Sequence, residues 1–445
     1  MRDGLWAKLG DGVSAIVDGA KAGVRLASDP DSQDLPPRVF FNLAVRSQES
    51  GDAAAARAGY RKTIDSQHPE WAPIAAGNLG LMLGREGDAA AARAAYQVAI
   101  DSGHPEQAPK AALNLGVLLE REGDVRGAQA AYQMVIDSHH REQAPRAADN
   151  LGLLLQKAGD TEGAKAAFQK AVDSRHKEMT PRATYNLGML LTRTGDTAAA
   201  LTALRQAVDS HHPEWAPKAA IGLGNLLAQA KDVAGARAAY RTAIDSRRPE
   251  QVSEAALNLG VMLSGTGDAK GARAAYQLAI DTPHPDHSPH AASYLGLLLA
   301  DLPDKADARK AFQQAIDSGH HEHAPEAALG LGLLFHDAEN RPAAEAAYRQ
   351  AIASGHPEWA PKAALNLGVL LKKSGDNTGA RAAYQIAVDS GHPDSAPKGA
   401  FALGLLLKRV GDTAGARAAL QLAVDSAHPQ FADHAQEALQ WLDGG

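Results

Sequence analysis

Apolar and polar positions along this chain return in one phase every 36 residues. Over residues 109–122, Ala111, Ala112, Leu115, Leu118 and Leu119 recur at the spacing of one helical face, and Pro109 suits a first turn. Gly123-Asp124 then predicts a stop and a new start, because glycine fits the left-handed position past a helix end and aspartate is a good N-cap. A second helix follows through Ala128, Tyr132 and Ile136 and is expected to end near Asp137-Ser138. Loops such as Ser102-Gly103-His104-Pro105 close the unit with further stop signals. Each unit is therefore a helical hairpin.

The phase holds from Gly51-Asp52 to Gly411-Asp412, through Lys231-Asp232, Pro303-Asp304 and Glu339-Asn340, giving eleven units without insertion or deletion. A proline series keeps the same register from Pro37 to Pro397. A chain of 445 residues would otherwise suggest two or three globular domains, but stacked repeats pack only on their neighbours and need no central core. Composition agrees: 45% of residues are hydrophobic and only 5% aromatic, with alanine, the best helix former, dominating the apolar set.

The unit resembles a tetratricopeptide repeat, whose pattern is Leu-Gly in the first helix and Ala-x3-aromatic in the second. The leucine stands at Leu43, Leu79, Leu115 and onward to Leu403, followed by glycine in every unit but the first, which has Ala44. The second-helix alanine runs from Ala56 to Ala416. Four residues on come Tyr60, Tyr96, Tyr132, Phe168, Tyr240, Tyr276, Phe312, Tyr348 and Tyr384, with Leu204 and Leu420 in their place elsewhere. Small residues let the paired helices approach, and the ring is expected to fill the gap between hairpins. The period exceeds the usual 34 by two loop residues, a feature similar to Sel1-like repeats. The resemblance implies an all-α, right-handed superhelical solenoid of eleven helix-turn-helix hairpins plus a C-terminal capping helix.

The expected organisation has three parts: an N-terminal amphipathic helix and linker over 1–35, repeats over 36–428, and a capping helix over 429–445. Trp6, Leu9, Val13, Ile16, Val17, Ala20 and Val24 share one face of the first part, which either caps the first hairpin or docks a partner or second copy. Lys8, Lys21 and Arg25 make only a modest basic face toward a membrane surface. At the other end Leu439 keeps the repeat leucine position while Gln440 replaces the glycine, as suits a helix with no second helix to receive.

In the tetratricopeptide family the first helices line the concave face and hold partner peptides, and the resemblance implies the same here. One residue before the leucine stand Asn42, Asn78, Asn114, Asn150 and Asn186. Five before it are Arg38, Lys110, Arg146 and Arg182, and six after it are Arg85, Arg121, Lys157 and Arg193. Apolar residues including Phe41, Val45, Val117, Tyr185 and Met189 lie between them. An amide offers both donor and acceptor to a peptide backbone, and the basic residues would pair with acidic side chains. The expected ligand is an extended acidic or mixed peptide; the competing expectation is that the asparagines bond neighbouring helices. Later repeats break the row with Gly222, Tyr294, Gly330 and Ala402, and place Asp301, His336 and Asp337 where basic residues stood, so the N-terminal half is the better groove.

Charge and chemistry narrow the function. Forty-five basic against 52 acidic residues give a net charge of −7, which argues against nucleic acid as partner. There is no cysteine, hence no disulfide framework or cysteine-ligated metal. No stretch reaches the roughly 18–20 apolar residues of a bilayer span and the N-terminus lacks a secretory apolar run, so the expected location is the cytoplasm. Most of the 18 histidines share the repeat period, as His68, His104 and His140 do, and each is expected to serve the end of its own second helix, His104 near Asp101. No phosphate loop, dinucleotide fingerprint or nucleophile elbow is present. The expected function is a non-catalytic, cofactor-free protein-interaction scaffold; the alternative is a self-assembling structural repeat protein, with homo-oligomers through the N-terminal helix.

Overall fold

The local signals that predict the hairpin also build it. In the third repeat the first helix is Gln107–Arg121 and the second Val125–Asp137. Pro109 lies in the first turn, where its missing N–H forfeits no helical bond. Gly123 adopts φ +79°, the left-handed conformation that closes a helix end, and the Asp124 carboxylate accepts the Gly127 backbone N–H at 2.9 Å. Asp52, Asp88, Asp160 and Asp412 cap their second helices in the same way, and Asn340 does so in the ninth repeat.

The computed structural model describes residues 35–302 and 305–443, which hold 23 helices and no strand. Twenty-two are the paired helices of the eleven repeats and the last is Phe431–Asp443. The amphipathic helix and linker expected over 1–35 lie, but for Leu35, outside the described residues, as do Pro303 and Asp304. On Phe431–Asp443, Ala435 and Leu439 are buried and Gln440 is exposed.

Within every hairpin after the first, the glycine following the leucine packs against the second helix and leaves no room for a side chain. A Cβ added at Gly116 would lie 2.5 Å from the Tyr132 ring, which is fully buried. Gly80 stands in the same relation to Tyr96, Gly152 to Phe168 and Gly368 to Tyr384. The ring thus docks first on the glycine of its own hairpin rather than in the gap between hairpins alone. Its outer edge then reaches the next repeat: the Phe312 ring also lies 2.7 Å from where a Cβ on Gly330 would sit. A flat ring against a bare backbone fills that space without forcing the helices apart.

The described residues divide into two compact units, with the boundary between Ala219 and Ala220. Within a unit, second helices pack between the first helix of their own repeat and that of the next. Among the described residues, first helices of successive repeats also touch one another, whereas successive second helices do not. Each unit therefore carries its first helices as the inner row.

One expectation needs correction. His104 does not serve the end of its own second helix: Asp101 is taken by the Gln97 side chain at 2.6 Å. The His104 Nδ1 instead accepts the backbone N–H groups of Glu106 and Gln107, at 3.2 and 3.3 Å, and so caps the first helix of the following hairpin. The physical reason is the shortage of partners at a helix start, where the leading N–H groups have no carbonyl to bond. Ser102 holds the histidine in place, donating to the Ala99 carbonyl and accepting the His104 N–H. With Nδ1 used as acceptor, Nε2 is free to donate. It meets a carboxylate of the preceding repeat: His140 to Glu106 at 3.3 Å, His176 to Glu142 at 3.0 Å and His392 to Glu358 at 2.9 Å. At these loops the histidine thus starts one helix and ties it to the hairpin before.

Candidate functional site

Counting from the repeat leucine, positions −5, −1, +2 and +6 are spaced four, three and four residues apart, which places them in one stripe along a helix. In the fourth repeat the stripe reads Arg146, Asn150, Leu153, Lys157, and in the third Lys110, Asn114, Val117, Arg121. Among these Arg121, Arg146 and Lys157 are exposed and the rest are half-buried. Arg85, Arg193, Arg38 and Asn42 are exposed too, whereas Asn78, Asn186 and Arg182 are half-buried. The structure therefore brings every residue of the expected set onto the inner-row helices of the first unit, in one repeated order.

Sequence reasoning named only part of the apolar row at +2. Leu81 and Leu153 belong to it, and in the second unit so do Leu297, Leu333 and Leu405. Leu81 is 39% exposed and Met189 40%, unusual for large apolar side chains at regular intervals. The missing signal was position, since leucine at +2 is hidden among the leucines at +3 and +4 that pack in the core.

Internal partners divide the set. Lys157 Nζ lies 2.8 Å from Glu120, and Lys110 lies 3.5 Å from Glu106 on its own helix. Arg38 stacks its guanidinium over Trp71 at 5.9 Å. Asn186 donates to Asp149 at 2.9 Å, and Arg182 Nε lies 2.9 Å from the other oxygen of that carboxylate, close enough to pair but poorly aligned for a hydrogen bond. Asp149 is wholly buried, and burial raises its pKa although Arg182 and Asn186 both act to lower it. Its presence at −2, a position held by Phe41, Leu113 and Tyr185 in other repeats, was a legible anomaly that sequence reasoning passed over.

Two asparagines also reach the preceding hairpin. Asn78 lies toward the Tyr60 phenol and Asn150 toward that of Tyr132, each acting to lower the phenol pKa, but burial raises both. Tyr60 donates in turn to Gln48 at 2.7 Å, and Tyr132 to Glu120 at 3.1 Å. Half-buried amides of this kind keep part of their hydrogen-bonding capacity toward the open face. Arg85, Arg121, Arg146 and Arg193 have no carboxylate within ion-pair distance among the described residues. An open groove of roughly 460 Å³ lined by Val117, Glu120, Arg121, Leu154 and Lys157 runs between the third and fourth repeats.

In the second unit the stripe changes character. The seventh to ninth repeats carry Glu254, His290 and Glu326 at −5, and Asp301 and Asp337 at +6. Among the described residues no group of three histidine, aspartate or glutamate side chains is arranged to hold a metal ion. None of the described helices is long and apolar enough to cross a membrane.

The family model described as tetratricopeptide repeat matches residues 78–148, 150–213, 192–251, 221–288, 294–358 and 365–433. No curated protein sequence matches the chain. Among solved structures, c5321, a protective antigen present in uropathogenic Escherichia coli strains displaying an SLR fold, is 17% identical. That match covers 94% of this chain and 90% of that one with a TM-score of 0.46. YrrB, a TPR protein with an unusual peptide-binding site, is 21% identical over 44% of this chain and 95% of its own, with a TM-score of 0.35. MamA is 19% identical over 40% of this chain and 92% of its own, with a TM-score of 0.33. With its glycine-on-ring hairpins and a family model matched over well more than half its length, the chain belongs to the tetratricopeptide-repeat family.

Proposed function

We propose that this protein is a non-catalytic scaffold whose first unit holds an extended, acidic or mixed peptide along its inner-row helices. Membership of the family supports a protein-interaction scaffold in general terms. The choice of an extended peptide rests on one observation: the second to fifth repeats present asparagine, then apolar, then basic side chains in the same order on one face. A ligand crossing them meets the same chemistry at each step, as a main chain with regularly spaced side chains would. The grip centres on Asn78, Asn114 and Asn150 with Arg85, Arg121 and Arg146, because Arg182 and Asn186 are engaged by Asp149 and Lys157 by Glu120.

Replacing Asn114→Ala and Asn150→Ala together tests this reading. The double variant is expected to lose capture of the natural partner from the native extract while its helical circular dichroism stays intact. Capture at the wild-type level would refute the asparagine row as a ligand-binding feature.

A further inference from the structure

The periodic histidines become a different arrangement at the eighth and ninth repeats. The first helices there are His287–Ala300 and His323–Asp337, and additional histidines stand on them and in the loops before them. The rings of His284 and His287 stack 4.0 Å apart at 14°, and those of His290 and His323 stack 4.1 Å apart at the same angle. His320 lies 4.9 Å from His323 and 4.8 Å from His321, each nearly parallel. The Tyr294 ring meets His290 edge-on at 4.4 Å. One pair, His290 with His323, therefore stacks where two successive first helices pack, and the other, His284 with His287, stacks at the start of the eighth-repeat helix.

The carboxylates in this cluster are unequally shared. His320 is 3.4 Å from Asp286, His321 is 3.6 Å from Glu322, and His323 is 3.3 Å from Glu326. Glu326 also accepts from the Ser293 hydroxyl at 3.0 Å. Among the described residues, His287 and His290 have no carboxylate within ion-pair distance. The His287 Nδ1 is buried with no hydrogen-bond partner, so a proton placed there would face no acceptor. His284 Nδ1 already accepts the backbone N–H groups of Asp286 and His287. A proton on either unpaired ring would set a cation against a stacked imidazole in a half-buried site.

We propose that the His290–His323 stack, with the His284–His287 stack beside it at the start of the eighth-repeat helix, makes the contact between the eighth and ninth repeats an acid-released clamp, closed while His287 and His290 are neutral and sprung when they take up protons. Charged groups face the two rings from every side. Asp286 and His284 flank His287 from the loop, and Glu250 acts on it from the first helix of the seventh repeat. His323 and Glu326 face His290 from the ninth-repeat helix, with His287 and His320 beyond them. Asp286, Glu250 and Glu326 favour the charged rings, but burial first and the neighbouring histidines second outweigh them. The result is a lowered pKa at His287 and one of about 4 at His290.

A histidine held low in the folded state destabilises that state in acid. The open form takes up the proton at the ordinary histidine value of roughly 6.5, whereas the closed form waits for a lower pH. Stability is therefore full above that ordinary value and falls as pH drops toward the folded value. The clamp belongs to the second unit and does not depend on peptide binding by the first.

Hydrogen exchange of the full chain at about pH 7.5 and 5.5, corrected for intrinsic exchange, tests it. The first helices of the eighth and ninth repeats are expected to open up to about tenfold more readily at the lower pH. Repeats two to five serve as the internal reference. A His287→Gln, His290→Gln double variant should lose that increment. Equal opening at both pH values, or stabilisation in acid through Glu326 and Asp286, would overturn the proposal. So would an increment that survives in the variant. Should the variant fail to fold, nuclear magnetic resonance titration of the wild-type histidines decides alone: a ring of His290 that protonates in the ordinary range contradicts the clamp.

Discussion

Single residues carry the geometry of the hairpin. Gly116 exists because Tyr132 lies against its backbone, and Gly123 because the turn after it needs φ near +80°. Two repeats force other residues into that turn: Lys231 sits at φ +62° and Glu339 at +56°. A side chain there costs roughly 1–2 kcal/mol through the clash of its Cβ with the following carbonyl. Lys231→Gly is therefore expected to stabilise the protein by about 1 kcal/mol, offset in part by the greater freedom of glycine in the unfolded chain. A raised urea midpoint of the second unit, followed by circular dichroism, is the expected readout; a lowered one contradicts the strain.

At the scale of elements, the histidine of loops such as that at His140 is both a helix start and a tie between repeats. The hydrogen bond from His140 comes first among the causes that hold the Glu106 carboxyl below its usual value, and His176 does the same for Glu142. The sign follows directly. A carboxyl whose pKa is lowered by folding adds stability above the usual carboxylate range and loses it as pH falls through the folded value. In a His140→Ala variant, Glu106 should titrate closer to an ordinary glutamate, as read by side-chain carbon chemical shifts; an unchanged midpoint would show that Lys110 alone holds it. Much of the element structure was legible: periodicity marked both helices, and Gly-Asp marked their junction. The direction of the histidine was not. A residue between two helices can serve either one, and only the unpaired N–H groups of Glu106 and Gln107 decide which. The stripe was partly legible for a related reason: Asn150 and Arg146 announce themselves, whereas Leu153 cannot be told from a core leucine until the packing is known.

For the molecule as a whole, the repeated hairpin leaves each unit with an inner row of helices whose side chains are not consumed by the core. The first unit lines that row with asparagine and arginine. The seventh to ninth repeats of the second line it with glutamate, aspartate and histidine instead. One fold thus offers different chemistry along its length, a consequence of repeats that must agree only at their packing positions. Asp149 alone is a carboxylate at the −2 position of the first unit, and Arg182 and Asn186, one repeat on, offset only part of the cost of burying it. The central claim is that the inner row of the first unit grips an extended chain. The most direct measurement is photo-crosslinking with a peptide selected by display against the full protein, its attachment sites read by mass spectrometry. Cross-links are predicted on the first helices of the second to fifth repeats, around Leu81, Val117 and Leu153, and attachment confined to the second helices would contradict that claim.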